Sequence, residues 1–514
     1  MFRHLIFIIL IHVVLLSNAQ YSYDLLIRTP EDEKAEFVYH DKLSDEQIMI
    51  VIVDCNSSTD TNCTAQCSIY TIDNTSDTTL WPFEDHRGDT LFSINNLVRE
   101  ETGDYFMTGI GWTLDSIGRP NDVFDYNTRW NSNHESLWET IHQRPQQFNG
   151  YSKSDMFNIL KLINGNYLIG KSIYAGDPRR YYYLTEVDPN TGTVIKEKVM
   201  PFRGGYLQGL TYTIDSTEIM LHAGGSIYMR ECKRNTEGVI ILDTATYDTI
   251  RSYCYNRDND DPEKYWCVHL PYNAKIRKDN KLIVGGTGYC HNVQQGVIER
   301  YLFVYQYDSG FNLLKRVFLT NPDTIIDAGW YQSMDINQDS EICLVGNHNR
   351  QKGPWSSIYD WIYLAKLDTG LNIISERYLG GDAYYTVYSM AATTDGGMVV
   401  AGTRYDYLVN NYERDAFVFK TDGGLWVGQH ENSVIPIHSV IVYPNPGNQE
   451  LNIRTTEYPS EFELYDTQGK LIMLQYVDQH ITRLNTSDLL PGFYIWVLKK
   501  DCRIIDKGKW IKQQ

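Results

Sequence analysis

One phrase recurs along most of the chain and limits what it can fold into. An alternating apolar strand meets a tight polar turn, a second apolar strand ends on a small residue, and after a variable loop a third strand closes on Asp or a neighbour. The clearest copy is YSMAATTDGGMVVAGTR at 388–404 with DAFVFKTDGGL at 415–425. Upstream stand QSMDINQDSEICLVGNHNR (332–350) with DWIYLAKLDTGLNIISERYL (360–379), and AKIRKDNKLIVGGTG (274–288) with YLFVYQYDSGFNLLKRVFL (301–319). FNILKLINGNYLIGKS (157–172) pairs with YYYLTEVDPNTGTVIKEK (181–198), and fainter copies begin at 211, 92 and 43. With the turn residues Asp45, Asp104, Gly165, Asp215, Asp279, Asp339 and Asp395 as register marks, successive spacings are 59, 61, 50, 64, 60 and 56 residues.

Units of short antiparallel strands have two apolar faces and cannot bury both alone, so seven of them suit a radial array better than a sandwich. The expected fold class is all-β: a seven-bladed β-propeller over 21–426, followed by a small C-terminal β-sandwich. Asp-Gly-Gly, Asn-Gly-Asn and Asp-Asn place residues that tolerate positive φ where a two-residue hairpin needs them. The clusters at 188–192, 308–310 and 368–370 are expected to do the same between third and fourth strands. The periodic acids therefore read as turn chemistry rather than catalysis. A short helix is expected only at 132–148. The 39 tyrosines, against 17 phenylalanines, favour strands, where the ring packs on the pleat and the hydroxyl reaches water. TDGGMVVAGT (394–403) resembles the turn phrase of bacterial exported propellers with sixty-residue repeats. That group includes binding, structural and enzymatic members, so the resemblance implies a fold and not a function.

At the N-terminus, Arg3 and His4 precede an apolar run from Leu5 to Leu16 and then Ser17-Asn18-Ala19. The run is short for a bilayer span and has the pattern of a secretory signal (1–19) cut between Ala19 and Gln20. Export permits disulfides among the nine cysteines. Cys254 and Cys267 flank the polar excursion 255–266 and are expected to clip it shut; an odd count leaves at least one cysteine unpaired. Cys55, Cys63 and Cys67 crowd one loop, but no second ligand pair accompanies Cys-x₃-Cys, so no metal site is expected. The net charge of −19 lies upstream of His438, because the residues after it hold nine Lys/Arg and nine Asp/Glu. An acidic body repels phosphate backbones and argues against a nucleic-acid partner.

Beyond a proline-punctuated linker at 427–437, residues 438–514 change character into alternating strands bounded by Gly, Pro and Asn. They carry, in order, Tyr443-Pro444-Asn445-Pro446, Leu464-Tyr465-Asp466, Gly469-Lys470, and Leu489 with Gly492 and Tyr494, then Lys507 and Lys509. This segment resembles the type A C-terminal sorting domain of the type IX (Por) secretion system. The resemblance implies Sec entry to the periplasm and passage through the type IX translocon across the outer membrane of a Gram-negative bacterium. It also implies removal of the tail by a sortase-like protease that attaches the body to surface lipopolysaccharide, leaving a secreted or cell-surface protein. Pro444 and Pro446 remove backbone donors and protect an edge from random pairing.

No Gly-x-Ser-x-Gly or His-Glu-x-x-His occurs, and GNYLIGKS (165–172), which spells Gly-x₄-Gly-Lys-Ser, runs along an apolar repeat strand rather than a loop, so no catalytic residue and no cofactor is expected. Asp335-x-Asn337-x-Asp339 imitates half a calcium loop but occupies a repeat hairpin and lacks the glycine and distal Glu. Ligand contacts are expected from the long excursions 111–134, 255–266, 288–292, 327–332 and 348–355. These hold Trp112, Trp130, Trp266, Trp330 and Trp355 beside His134, His291 and His348, aromatic platforms suited to a glycan or peptide. Two function classes remain: a non-enzymatic binding or adhesion protein, and a polysaccharide-active hydrolase or lyase. The second needs a carboxylate pair from among Asp122, Asp125, Asp258, Asp260 and Asp327.

Overall fold

Strands are the regular elements of the computed structural model, which describes residues 23–27, 32–42, 44–54, 66–73, 78–83, 86–87, 90–114, 120–145, 157–174, 180–204, 207–223, 238–254, 265–292, 297–319, 326–348, 360–406, 414–427, 440–443, 447–455, 458–479, 481–500 and 503–512. Strand β1 (Tyr23–Ile27) precedes a first sheet of β2 (Asp32–His40), β3 (Gln47–Asp54), β4 (Gln66–Ile72) and β5 (Thr78–Leu80). The second holds β6 (His86–Arg87), β7 (Thr90–Arg99), β8 (Tyr105–Leu114), β9 (Pro120–Trp130) and β10 (Ser136–Gln143). The third is β11 (Phe157–Lys161), β12 (Tyr167–Tyr174), β13 (Arg180–Val187) and β14 (Val194–Gly204). β15 (Leu207–Tyr212), β16 (Ile219–Ala223), β17 (Gly238–Leu242) and β18 (Thr249–Cys254) make the fourth. The fifth is β19 (Tyr265–Arg277), β20 (Lys281–Asn292), β21 (Val297–Tyr307) and β22 (Leu313–Leu319). The sixth is β23 (Ile326–Ala328), β24 (Met334–Ile336), β25 (Ile342–His348), β26 (Trp361–Leu367) and β27 (Ile373–Gly380). β28 (Tyr384–Ala392), β29 (Met398–Tyr405) and β30 (Asp415–Lys420) form the seventh, and every ladder in these sheets is antiparallel.

The first long strands of the sheets touch in cyclic order. β2 meets β7, then β7 meets β11, β11 meets β15, β15 meets β19, β19 meets β24, β24 meets β28, and β28 meets β2. The seventh sheet is completed not by a later segment but by β1, which pairs with β30 and sets Leu25 opposite Val418. Because neighbours cover both faces, β17, β25 and β30 are buried at every position and carry continuous apolar stretches, VIIL, ICLV and AFVF, rather than alternations. At one seam Val345 and Leu364 of the sixth sheet pack with Met390, Val400 and Phe417 of the seventh. Each such side chain contributes roughly 1.5–3 kcal/mol over leaving it exposed. Last strands such as β10 and β27 are exposed along much of their length.

The hairpin turns follow the repeat closely. Positive φ falls at Asp45, Gly103, Gly165, Ser216, Asn280, Ser340 and Gly396, each within one residue of a register mark. The loops are three residues long rather than the expected two, except those at Asp45 and Ser216, which are four. Leu162 N donates to Asn166 O while Gly165 N donates to Leu162 O, which is a type I turn completed by one left-handed residue. Before the last strand of several sheets the expectation needs a second correction. The left-handed residue is Phe311, Leu371 or Leu425, one position after the glycine of Asp-Ser-Gly, Asp-Thr-Gly or Asp-Gly-Gly. Leu371 and Leu425 are buried, so packing stabilises a backbone conformation that their side chains resist. The acids hold these turns: Asp368 Oδ1 accepts the N–H groups of Gly370 and Asn372, and Asp308 and Asp422 repeat the pattern. The side-chain amides of Asn312 and Asn372, with those backbone bonds, hold the Asp308 and Asp368 carboxyls below the usual range.

Among the described residues of 132–148 there is no helix; β10 (Ser136–Gln143) runs there instead, antiparallel to β9. SLWETIHQ has only one face to cover, and the open edge of β9 decides its conformation over any local preference.

The tail forms two sheets. β31 (Val440–Tyr443), β32 (Glu450–Thr455) and β35 (Ile481–Asn485) make one, and β33 (Ser460–Asp466), β34 (Leu471–Val477), β36 (Gly492–Lys500) and β37 (Arg503–Lys512) the other. Leu451 and Ile453 of the first share a core with Phe462, Leu464, Trp496 and Trp510 of the second. Across β33, β35 and β36 burial alternates, as expected of strands covered on one face. Among the described residues no helix is long and apolar enough to cross a membrane.

Candidate functional site

The ordered motif residues of the tail are mainly those its fold needs. Leu464 is buried in the shared core, and Tyr494 sends its hydroxyl to Leu490 O at 2.8 Å while its ring packs near Trp510. Asp466 accepts the N–H groups of Gln468 and Lys470, and Gly469 takes φ 78°, so Asp-x-x-Gly-Lys is the same capped turn that punctuates the body. Lys470, Lys507 and Lys509 are exposed, and Gly492 opens β36. Tyr443 ends β31 opposite Asn452, while Pro444, Asn445 and Pro446 lie outside the described residues. Just after them, Gly447 N donates to Ile511 O and Lys512 Nζ reaches Asn448, tying the motif to the last strand. Trp496 and Trp510 went unremarked in the sequence; the period-two row Tyr494, Trp496, Leu498 is the signal that marks the first.

In the body, the expected ligand-binding residues separate. Trp112 and Trp130 are not on a loop: the 111–134 excursion is mostly β8 and β9, and both rings are buried in core clusters, where a ligand does not reach them. The signal misread there was a polar alternation, NDVFDYNTRW, which belongs to a strand and not to a loop. Trp266 sits on β19 opposite His291 of β20. Trp355, its excursion 349–355, and the excursion 255–264 lie outside the described residues, as do Ala19 and Gln20. Cys254 ends β18 opposite Gly238, whereas Cys267 stands in β19 directly opposite Cys290 of β20. His134 stacks on Trp81 at 4.2 Å, where burial lowers its pKa, and His348 packs edge-on against Trp361 and Tyr378.

Trp330 alone of the described tryptophans is exposed, at 38%, on the link between β23 and β24. Its N–H donates to Val387 O, and the next residue, Tyr331, stacks on Tyr388 of β28 with ring centroids 5.6 Å apart. Tyr388 lies on β28, the first strand of the seventh sheet, and Trp330 and Tyr331 on the link bonded to it; these rings are the aromatic surface the structure brings together. On the same row Lys275 pairs with Asp335 at 2.6 Å. Burial pushes the Asp335 carboxyl up, but Lys275 and the N–H groups of Ala392 and Ile336 outweigh it and hold the group ionised. Asn337 accepts the N–H groups of Asp339 and Glu341, so the half calcium phrase works as a turn.

The expected acids divide as well. Asp125 is fully buried between Arg144, at 2.9 Å, and Lys171, in a bridge that ties the second sheet to the third. Although burial raises its pKa, the two cations lower it further. Asp327 pairs with Arg300 at 2.7 Å, Asp122 is exposed, and Asp258 and Asp260 lie outside the described residues.

The chain is thus an all-β protein of successive antiparallel sheets ending in a separate two-sheet tail. Residues 441–513 match the family described as the secretion system C-terminal sorting domain. The tail is that domain, and its sorting role marks the chain as a secreted or cell-surface protein that engages the type IX secretion machinery. No curated protein matches the chain. Among solved structures, a luciferin-regenerating enzyme is similar at 11% identity and TM-score 0.34, over 79% of this chain and 98% of its own. PorZ, a surface component of the type IX secretion system of Porphyromonas gingivalis, is similar at 8% identity and TM-score 0.21, over 96% of this chain and 100% of its own. The NanB sialidase of Streptococcus pneumoniae is similar at 9% identity and TM-score 0.36, over 77% of this chain and 70% of its own. With scores this low, none of the three bears on fold or function.

Proposed function

We propose that the body is a seven-bladed β-propeller that acts outside the cell as a non-enzymatic binding or adhesion module, delivered there by its tail. The observation that carries the reading is the cyclic row of first strands, β2 to β28 and back to β2, with β1 completing the last sheet. A glycan or peptide would bind where Trp330, Tyr331 and Tyr388 gather on that row. Binding is favoured over hydrolysis because Asp125 and Asp327 are committed to ion pairs. The route includes a signal cut after Ala19, passage through the translocon, and tail removal by a sortase-like protease with attachment to lipopolysaccharide. Two experiments test this. Deleting 438–514 leaves the body in the periplasm; a deleted chain still reaching the surface contradicts the delivery. On a glycan panel the intact protein retains ligand without releasing reducing ends, and Trp330→Ala loses retention. Release of reducing ends that Asp122→Asn abolishes would instead establish the hydrolase.

A further inference from the structure

The seams between sheets share a device. A side chain from the last strand of one sheet donates to a carbonyl on the turn that follows the third strand of the next in chain order, β23 and β24 counting as one strand and β1 being left aside. Trp138 of β10 reaches Pro189 O, Lys196 of β14 reaches Ala245 O, Lys315 of β22 reaches Gly370 O, and Ser375 of β27 reaches Gly424 O. At two of these seams the donor is an ammonium, and Lys196 also lies over the ring of Tyr247 at 4.5 Å.

The seam between the fourth and fifth sheets departs from this. Arg251 of β18 stands at the position of Lys196 and Lys315, eight residues after Asp243 as Lys196 is after Asp188. It turns back instead onto its own sheet. Its two η nitrogens bond both oxygens of Glu218, and its Nε donates to the Tyr253 hydroxyl at 3.1 Å. The Tyr253 ring stacks on Phe311 at 4.3 Å, so at this seam a ring, rather than an ammonium as at the seams of Lys196 and Lys315, meets the turn. A cavity of about 360 Å³ opens there. Asp215, Glu218 and Asp308 line it against the single guanidinium of Arg251, and Met220 and Leu282 form an apolar floor. The lining is acidic at its rim and apolar below, and it reaches Ser309 and Phe311 of a turn two of whose counterparts accept an ammonium, at Ala245 and Gly370.

We propose that this cavity binds an alkylammonium group, the side chain of a lysine or one end of a free diamine, in the place the chain's own lysines take at neighbouring seams. The apolar floor accommodates the methylene stem, and Asp215 with Asp308 at the rim receives the head. The site is separate from the Trp330 surface and requires neither a closed ring nor the sorting route, so its failure leaves those readings untouched.

The test is titration of the full chain with pentane-1,5-diamine and with Nα-acetyl-lysine methylamide, followed by calorimetry or by spectral shifts of Phe311 and Met220. The norleucine analogue, which lacks the charge, is the control. Both amines are expected to bind with Kd near millimolar (roughly 4 kcal/mol), weaker at high salt, and the norleucine analogue at least tenfold more weakly. Two variants move in opposite directions. Glu218→Gln frees Arg251 to swing onto the turn and fill the cavity, so amine binding falls at least tenfold. Arg251→Ala removes the competing cation, so binding is kept or strengthened. An unchanged melting temperature shows that each variant is folded. If lysine amide binds and the diamine does not, the occupant is a peptide lysine; the reverse assigns free amines. Equal binding of the norleucine analogue, loss of binding in Arg251→Ala, or no saturable binding of either amine overturns the proposal.

Discussion

The body and the tail bury their strands in different ways. In the body β17, β25 and β30 are covered along their whole length, because every sheet has a neighbour on each face. In the tail β33 and β35 alternate, because two sheets share one core and turn their other faces outward. A body sheet therefore has no complete core of its own, whereas the tail does. The difference suits their tasks: the tail can fold as a unit to be recognised by the secretion machinery, while the body stands or falls as a whole.

The largest expected effect separates the two regions. Trp510→Ala empties the centre of the tail core at a cost of about 3–5 kcal/mol. Export should drop to the level of the deletion at 438–514, while the melting transition of the body stays in place; a shifted body transition would mean that the two are not independent. Met390→Ala, at the seam of the sixth and seventh sheets, should cost about 2–5 kcal/mol. It should move the whole body transition in calorimetry, and a new local transition in place of that shift would break the comparison.

Acid provides the next test. His40 ends β2, where its Nε2 accepts the N–H of Thr394 from the seventh sheet, and burial lowers its pKa from 6.5 to about 4. The folded state prefers the neutral ring, so the stabilisation is complete above pH 6.5 and is lost as pH falls toward 4. The loss reaches up to about 3 kcal/mol. A chemical-denaturation series over that window should show the decline, and His40→Gln should flatten it. The smallest effect is at a turn. Asp368→Ala removes the acceptor of two N–H groups and should be read as a small drop in the body's denaturation midpoint with export unchanged.

Much of this was legible in the residues because turn chemistry is local. Asp, Asn and Gly at the hairpins locate the left-handed residues to within one position, and the same logic exposes Asp466 and Gly469 in the tail. The alternation in the 441–513 segment likewise gave its strands. What failed was what depends on distant partners. NDVFDYNTRW reads as a polar loop until β8 and β10 pair on either side of it, and Trp112 and Trp130 read as platforms until their neighbours cover them. Asp125 resembles a catalytic candidate because Lys171, which neutralises it, lies 46 residues away. The withdrawal of Arg251 from its seam is equally silent in sequence, since an arginine stands where a cation belongs.

The most direct measurement concerns the closing strand. Leu25 and Val418 face each other across β1 and β30, so the Leu25→Cys, Val418→Cys double variant should form an intramolecular disulfide. Peptide mapping of the non-reduced, folded protein should find the 25–418 cross-link within single chains, with a raised unfolding temperature. Absence of that cross-link under oxidising conditions, or its appearance only between chains, would contradict a body that closes its last sheet with its first strand.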